Sequence, residues 1–285
     1  MTEKEFPGWK KILPWVALGV ILLGVLAAVL VLLAGRFPFP KNAAVATEST
    51  VTETTLPPPP ANIFDPEDFD YGEDGYLTCL TGPCERGIDV SSYQGQVDWQ
   101  AVKDAGFTFV IIRVAGRGYG SAGSLYDDVL ARQNYDGAKA VGMKVGAYFF
   151  SQAISPAEAV EEAEYLLEKT ADWELDLPLV YDWEYISETA RTANVHPRTL
   201  TDCTLAFCRR IQEGGREAMV YFNTDQSMDK FYIEEVTDYP FWLAMYSDWM
   251  TYPYKIHMWQ YTNAGQVPGI EGNVDINLAF SYEAD

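Results

Sequence analysis

Two carboxylates stand two residues apart at the end of an apolar run, in Leu177-Pro178-Leu179-Val180-Tyr181-Asp182-Trp183-Glu184. In an extended strand, residues two apart point to the same side, so Asp182 and Glu184 share a face. Burying ionised carboxyls is costly, because desolvation disfavours the charged form. Such a pair suits glycosidic bond cleavage, which needs one carboxyl protonated to deliver a proton and another charged to stabilise or attack. The alternative is a strand end whose two acids simply face water. A two-residue offset separates the backbones by ~6.6 Å, a spacing that fits neither the retaining nor the inverting carboxyl separation decisively.

The elements that would position this pair alternate from residue 86 onward. Residues 87–91, 107–115, 144–151, 177–185 and 218–223 read as strands, the second as a near-continuous β-rich run like a strand buried on both faces. Helical spacing lies between them at 97–105, 126–141, 155–169 and 199–213. Gly106, Gly142 and Gly214-Gly215 follow three of these helices as stop signals. Ser155-Pro156-Ala157-Glu158 opens another with a cap, a first-turn proline and Glu at the capping-box position. Three more strand-like runs, 241–247, 256–262 and 274–280, are too close together for full crossover helices. This pattern predicts an α/β fold, a closed but irregular TIM-like barrel. Active sites of such barrels lie at the carboxyl ends of the strands. Asp89, Asp182, Glu184 and Asp275 all fall at or near strand ends, so four acids would converge on one mouth.

The chain before the barrel is of another kind. Residues 1–11 are polar and carry Lys4, Lys10 and Lys11, whereas residues 12–35 hold no charge. As a helix that run would span about 35 Å, enough for a hydrocarbon core and too long for a cleaved secretory signal. It reads as a single transmembrane signal-anchor helix with the N-terminus inside, by the balance of flanking lysines and arginines, and the bulk of the protein outside at the cell membrane. Residues 36–85 are Thr-, Pro- and acid-rich, with prolines at 57–60. They read as a disordered extracellular linker, leaving 86–285 as the folded domain.

Composition narrows the partners. With 20 basic and 41 acidic residues, the net charge of −21 opposes binding to nucleic acid. The 18 tyrosines and 8 tryptophans suit a carbohydrate cleft as well as an aromatic core. Cys79 and Cys84 bracket a Thr-Gly-Pro turn that a disulfide could close. Cys203 and Cys208 lie five apart on one helix, ~7.5 Å of rise, and cannot bridge each other. Neither cysteine pair has metal-ligand spacing with His196 or His257, and no metal or organic cofactor is implied.

The ordered set Gly87-Ile88-Asp89-Val90-Ser91, Gln94-Gly95, Asp98-Trp99, 109–113, Gly146-Ala147-Tyr148, 179–184, Trp259-Gln260-Tyr261 and Val274-Asp275 resembles glycoside hydrolase family 25, across about residues 86–280. The resemblance implies an irregular (β/α)5(β)3 barrel that hydrolyses the β-1,4 bond between N-acetylmuramic acid and N-acetylglucosamine in peptidoglycan glycan strands. It implies that Glu184 is the general acid and that Asp182 stays charged, orienting the substrate's acetamido group or stabilising the oxocarbenium-like centre. Asp89 and Asp275 would shape the field. Tyr148, Tyr221, Trp259 and Gln260 would bind substrate, with packing of the barrel rim as the other role open to the aromatics. Retention of the β-anomer with help from the substrate's acetamido group is favoured. Many secreted members carry repeated wall-binding modules, and none is visible here; a membrane tether would take their place by raising local concentration. Two alternatives stand beside this one: a catalytically silent barrel that grips glycan or wall, and a hydrolase of chitin-type N-acetylglucosamine polymers.

Overall fold

The computed structural model describes residues 56–281. The expected transmembrane segment, residues 12–35, lies outside the described residues, as does the first part of the linker. Among the described residues no helix is long and apolar enough to cross a membrane.

The last part of the linker departs from expectation. Residues 61–85 are not a free tether but are folded onto the barrel. An antiparallel hairpin pairs β1 (Phe69–Tyr71) with β2 (Leu77–Cys79). Just before it Ala61 forms a bridge with Tyr254, and the Asn62 N–H donates to the Pro253 carbonyl at 2.9 Å. Cys79 and Cys84 are disulfide-bonded across the turn that leads into the barrel.

Among the described residues, eight strands then close a barrel, in the order β3 (Cys84–Val90), β4 (Phe109–Arg117), β6 (Lys144–Ser151), β7 (Leu179–Trp183), β8 (Ala218–Asn223), β9 (Phe241–Ala244), β10 (Met258–Gly265) and β11 (Val274–Phe280), with β3 paired to both β4 and β11. Helices α1 (Trp99–Asp104), α2 (Ala131–Ala140), α3 (Pro156–Lys169), α4 (Pro197–Glu213) and the short α5 (Thr224–Asp229) occupy the first five connections. Neighbours from β3 round to β10 are parallel, whereas β11 is antiparallel to both β10 and β3.

The final connections carry no crossover helix among the described residues, which would leave the outer face of the last strands bare. The hairpin covers it. Phe69 packs edge-on against Trp259 with ring centroids 5.1 Å apart, Phe64 lies 4.4 Å from Phe280, and Leu77 is wholly buried. The acids of this segment face outward, which is why its composition resembles a stalk.

The expected helix at 126–141 is shorter than its spacing suggests. β4 overruns the barrel rim, and β5 (Leu125–Asp127) pairs with that overhang, Ala115 opposite Asp127. Asp128 then starts α2: one carboxylate oxygen accepts from the Leu130 N–H at 3.0 Å while the other accepts from Arg113 Nε at 2.9 Å. Glu158 also differs from its capping-box role. Its carboxylate accepts from the Ile154 N–H and pairs with Arg191, while the Ser155 hydroxyl caps α3 as expected.

Two apolar layers hold the barrel. The outer one lies between strands and helices; the inner one contains Phe109, Ile111, Val180, Met219, Tyr221, Trp242, Ala244 and Met258. Gly87 belongs to the inward row of β3, where a Cβ would overlap the Phe109 ring, so the narrow barrel interior needs glycine there.

Candidate active site

Side chains alternate along each strand, so the inward row is fixed by parity. The rows that fill the barrel interior run up to a cavity of about 370 Å³ at its mouth. Asp89 of β3, Arg113 of β4, Tyr148 of β6, Asp182 of β7, Tyr221 of β8, Trp242 of β9, Gln260 of β10 and Asp275 of β11 all line it. Glu184, one residue beyond β7 and on the same parity as Asp182, reaches the same cavity.

Asp275 arrives differently from the expectation. β11 runs antiparallel, so Asp275 lies at its beginning, directly opposite Asp89 in the register. It is therefore the N-terminal end of that strand that joins the carboxyl ends of the others. Trp259 does not reach the mouth at all. It is fully buried on the outer face, where its Nε1–H donates to the Met245 carbonyl at 2.8 Å and Phe69 packs against it. Its neighbour Gln260 takes the inward position. The tryptophan that does line the cavity is Trp242, which sequence reasoning missed, along with Arg113, Tyr246 and Asn277. The signal for two of them was present: Trp242 is at inward parity in its strand, and Asn277 is two residues after Asp275.

These side chains form a polar web on Asp89. Gln260 Nε2 and Asn277 Nδ2 both donate to Asp89 Oδ2, at 2.8 and 2.9 Å. The Tyr221 and Tyr246 hydroxyls donate to Gln260 Oε1 at 3.0 and 3.1 Å, and Trp242 Nε1–H donates to Asn277 Oδ1 at 2.8 Å. Each amide is thereby oriented to present its N–H to the carboxylate. Burial lifts Asp89 to about 6, and the two amide donors hold it down against that rise.

The other three acids are lifted with less compensation. Asp182 is driven well above the ordinary carboxylate range, first by burial and then by Glu184 and Asp89. Among the described residues no donor reaches its buried Oδ1. Glu184 is raised by burial and by Asp89, with Arg113 opposing. Asp275 is pushed up to about 8 by burial, Asp89 and Glu184. Four carboxyls sharing one low-dielectric mouth cannot all ionise together near neutral pH. Burial and the neighbouring acids thus oppose the charge expected on Asp182, whereas Asp89 has two amide donors that favour its charged form.

Glu184 also borders two further depressions, one of about 740 Å³ with Tyr185, Glu188, Asn223 and Asp229, and one of about 300 Å³ with Tyr221, Asn223 and Tyr246. Glu184 is thus shared by the central cavity and both depressions. The exposed rings of Tyr93, Tyr119 and Tyr126 face the central cavity.

A parallel-stranded barrel whose mouth gathers acids, two of them from one strand end, is the class of fold and site that glycoside hydrolases use. Residues 88–270 match the model of glycosyl hydrolases family 25, and the chain belongs to that family. It is 29% identical over 194 residues to the autolytic lysozyme of Clostridium acetobutylicum, covering 67% of this chain and 55% of that protein. With lysozyme M1 of Streptomyces globisporus it shares 26% identity over 261 residues, covering 82% of this chain and 85% of the relative. The crystal structure of the bacterial lysozyme from Streptomyces coelicolor is similar at a TM-score of 0.59 and 27% identity, over 72% of this chain and 94% of that one. The chain thus spans little more than half the length of the clostridial relative and most of the two streptomycete ones.

Proposed function

We propose that this protein is a muramidase, cleaving the β-1,4 bond from N-acetylmuramic acid to N-acetylglucosamine in peptidoglycan. One observation carries the reading: a half-buried glutamate with a raised pKa, Glu184, lines the acid-bearing cavity at the barrel mouth and borders two further depressions beside it. The clostridial and streptomycete relatives bear the name lysozyme, which supports a peptidoglycan glycan strand as the substrate here.

In this reading Glu184 gives its proton to the glycosidic oxygen as the bond to C1 breaks. The acetamido oxygen of the same sugar closes on C1, and Glu184 then takes a proton from the water that reopens the ring with retention. The unpartnered Asp182 Oδ1 suits the acetamido N–H, a donor that favours the charged carboxylate and lets it stabilise the cationic ring. Asp89, held by its two amide donors, keeps the mouth negative towards the oxocarbenium-like centre, with Asp275 paired beside it.

Specificity for the muramic sugar over a plain N-acetylglucosamine polymer is tested by offering peptidoglycan and chitin oligomers side by side. Soluble muropeptides from the first with no cleavage of the second is the expected outcome. Equal or faster chitin cleavage would move the reading to a chitin-type hydrolase. A catalytically silent wall-binding barrel would cleave neither.

The uncharged run 12–35 supports an anchored protein with its barrel at the cell wall, close to its substrate. The full chain is expected in the membrane fraction, released by detergent and not by high salt. Recovery in the soluble fraction would overturn the anchor.

A further inference from the structure

Glu184 lies just beyond the reach of the sheet that carries it. The β6–β7 register ends at Ser151 opposite Trp183, and the β7–β8 register at Asp182 opposite Tyr221. A strand-end peptide outside its ladder has freedom to fray, and a glutamate on it would carry that freedom to its carboxyl. Here the side chain of Gln152, the residue after β6, takes over from the ladder. Its Nε2 donates to the Glu184 carbonyl at 3.0 Å and to the Ser151 carbonyl at 2.9 Å. Its Oε1 accepts from Thr192 Oγ1 at 2.6 Å. The opposite amide orientation would set an oxygen against two carbonyls, so the neighbours fix which atom is which.

Gln152 is itself held in place. It is wholly buried, as Thr192 nearly is. Its carbonyl accepts from Arg191 Nη1 at 2.9 Å, and Arg191 grips both carboxylate oxygens of Glu158 at 2.9 and 2.7 Å. The Arg191 backbone N–H donates to the Tyr119 carbonyl at 2.9 Å, which ties the rim beside β5 to the loop that follows Glu184. Buried amides with every donor and acceptor engaged rigidify what they hold.

We propose that Gln152 is a positioning residue for Glu184: its carboxamide stands in for the missing strand ladder, fixes the Glu184 peptide, and so sets how far the acid reaches into the cleft. The proposal rests on the reading of Glu184 as the general acid. Gln152 touches no reacting atom. Its effect falls on the chemical step, because a displacement of about 1 Å at an acid can cost up to about a hundredfold in rate.

The test compares the full chain with Gln152→Met, Thr192→Val and Glu184→Gln, on soluble glycan strands from peptidoglycan. Gln152→Met keeps the length and removes the donors; Thr192→Val unlocks the amide without touching Glu184. Folding is followed by far-UV circular dichroism and thermal melting. With Gln152→Met, kcat is expected to fall by about ten- to a hundredfold with KM within about twofold, and the basic limb of the kcat profile to move. Thr192→Val should shift the same parameters in the same direction by less. A folded Gln152→Met with wild-type kcat, or a loss matched by its unfolded fraction with an unmoved pH profile, overturns the proposal. If Gln152→Met does not fold, Thr192→Val decides by the same readings. Wild-type activity in Glu184→Gln overturns the acid assignment and the proposal with it, whereas an inactive Glu184→Gln beside an unaffected Gln152→Met overturns the positioning alone.

Discussion

Replacing Glu184 with glutamine is expected to lower kcat on peptidoglycan by about 10²- to 10⁴-fold, the usual worth of a general acid, with little change in KM. The amide matches the carboxyl in shape and leaves the groove intact, but it has no proton to deliver to the leaving oxygen. The wild-type rate should fall on the basic side as Glu184 loses its proton. That limb lies above the ordinary glutamate range, because burial and the neighbouring Asp89 both oppose ionisation. The limb should vanish in the variant's residual rate. Steady-state kinetics across pH check both points, and a variant within about tenfold of wild type would place the proton donor elsewhere.

Cutting the chain at residue 86 is expected to destabilise the barrel severely, although residues 36–85 read as linker. The cut removes buried Phe69 and Leu77 and uncovers Trp259 and Phe280 on the outer face. Each large apolar side chain taken from burial costs about 1.5–3 kcal/mol, against a total stability of about 5–15 kcal/mol. A chain beginning at residue 56 should therefore melt roughly 10 °C above one beginning at 86, if the shorter one folds at all. Equal melting temperatures by circular dichroism would show the hairpin to be an ornament. The same cut should loosen the loop that carries Tyr246, since the Tyr71 hydroxyl donates to Asp248 at 2.6 Å.

Much of this architecture is legible in the sequence because a parallel barrel writes itself in long apolar strands. The runs now seen as Lys144–Ser151, Ala218–Asn223 and Val274–Phe280 stand out for that reason. The acids were visible because charge at the end of such a run is costly unless used. What stayed hidden depends on partners distant in the chain. The hairpin of residues 61–85 contributes few apolar groups, and its folding depends on a bare face that only the closed barrel creates. Leu125–Asp127 pairs because β4 overruns the rim, which its own composition does not announce. Strand parity turns Trp259 outward, against the expectation, and Trp242 inward, and parity becomes readable only once the inward row is anchored on Gln260 and Asp89. Gln152 acts through a backbone carbonyl, an interaction with no sequence signature.

The identity of the sugar at each new chain end tests the central claim most directly. Purified peptidoglycan is digested with wild type and, in parallel, with Glu184→Gln; the fragments are reduced with borohydride and identified by mass. The account predicts muramitol at the new ends from wild type and none above background from the variant. Glucosaminitol at those ends, or muramitol formed equally by both proteins, would contradict it.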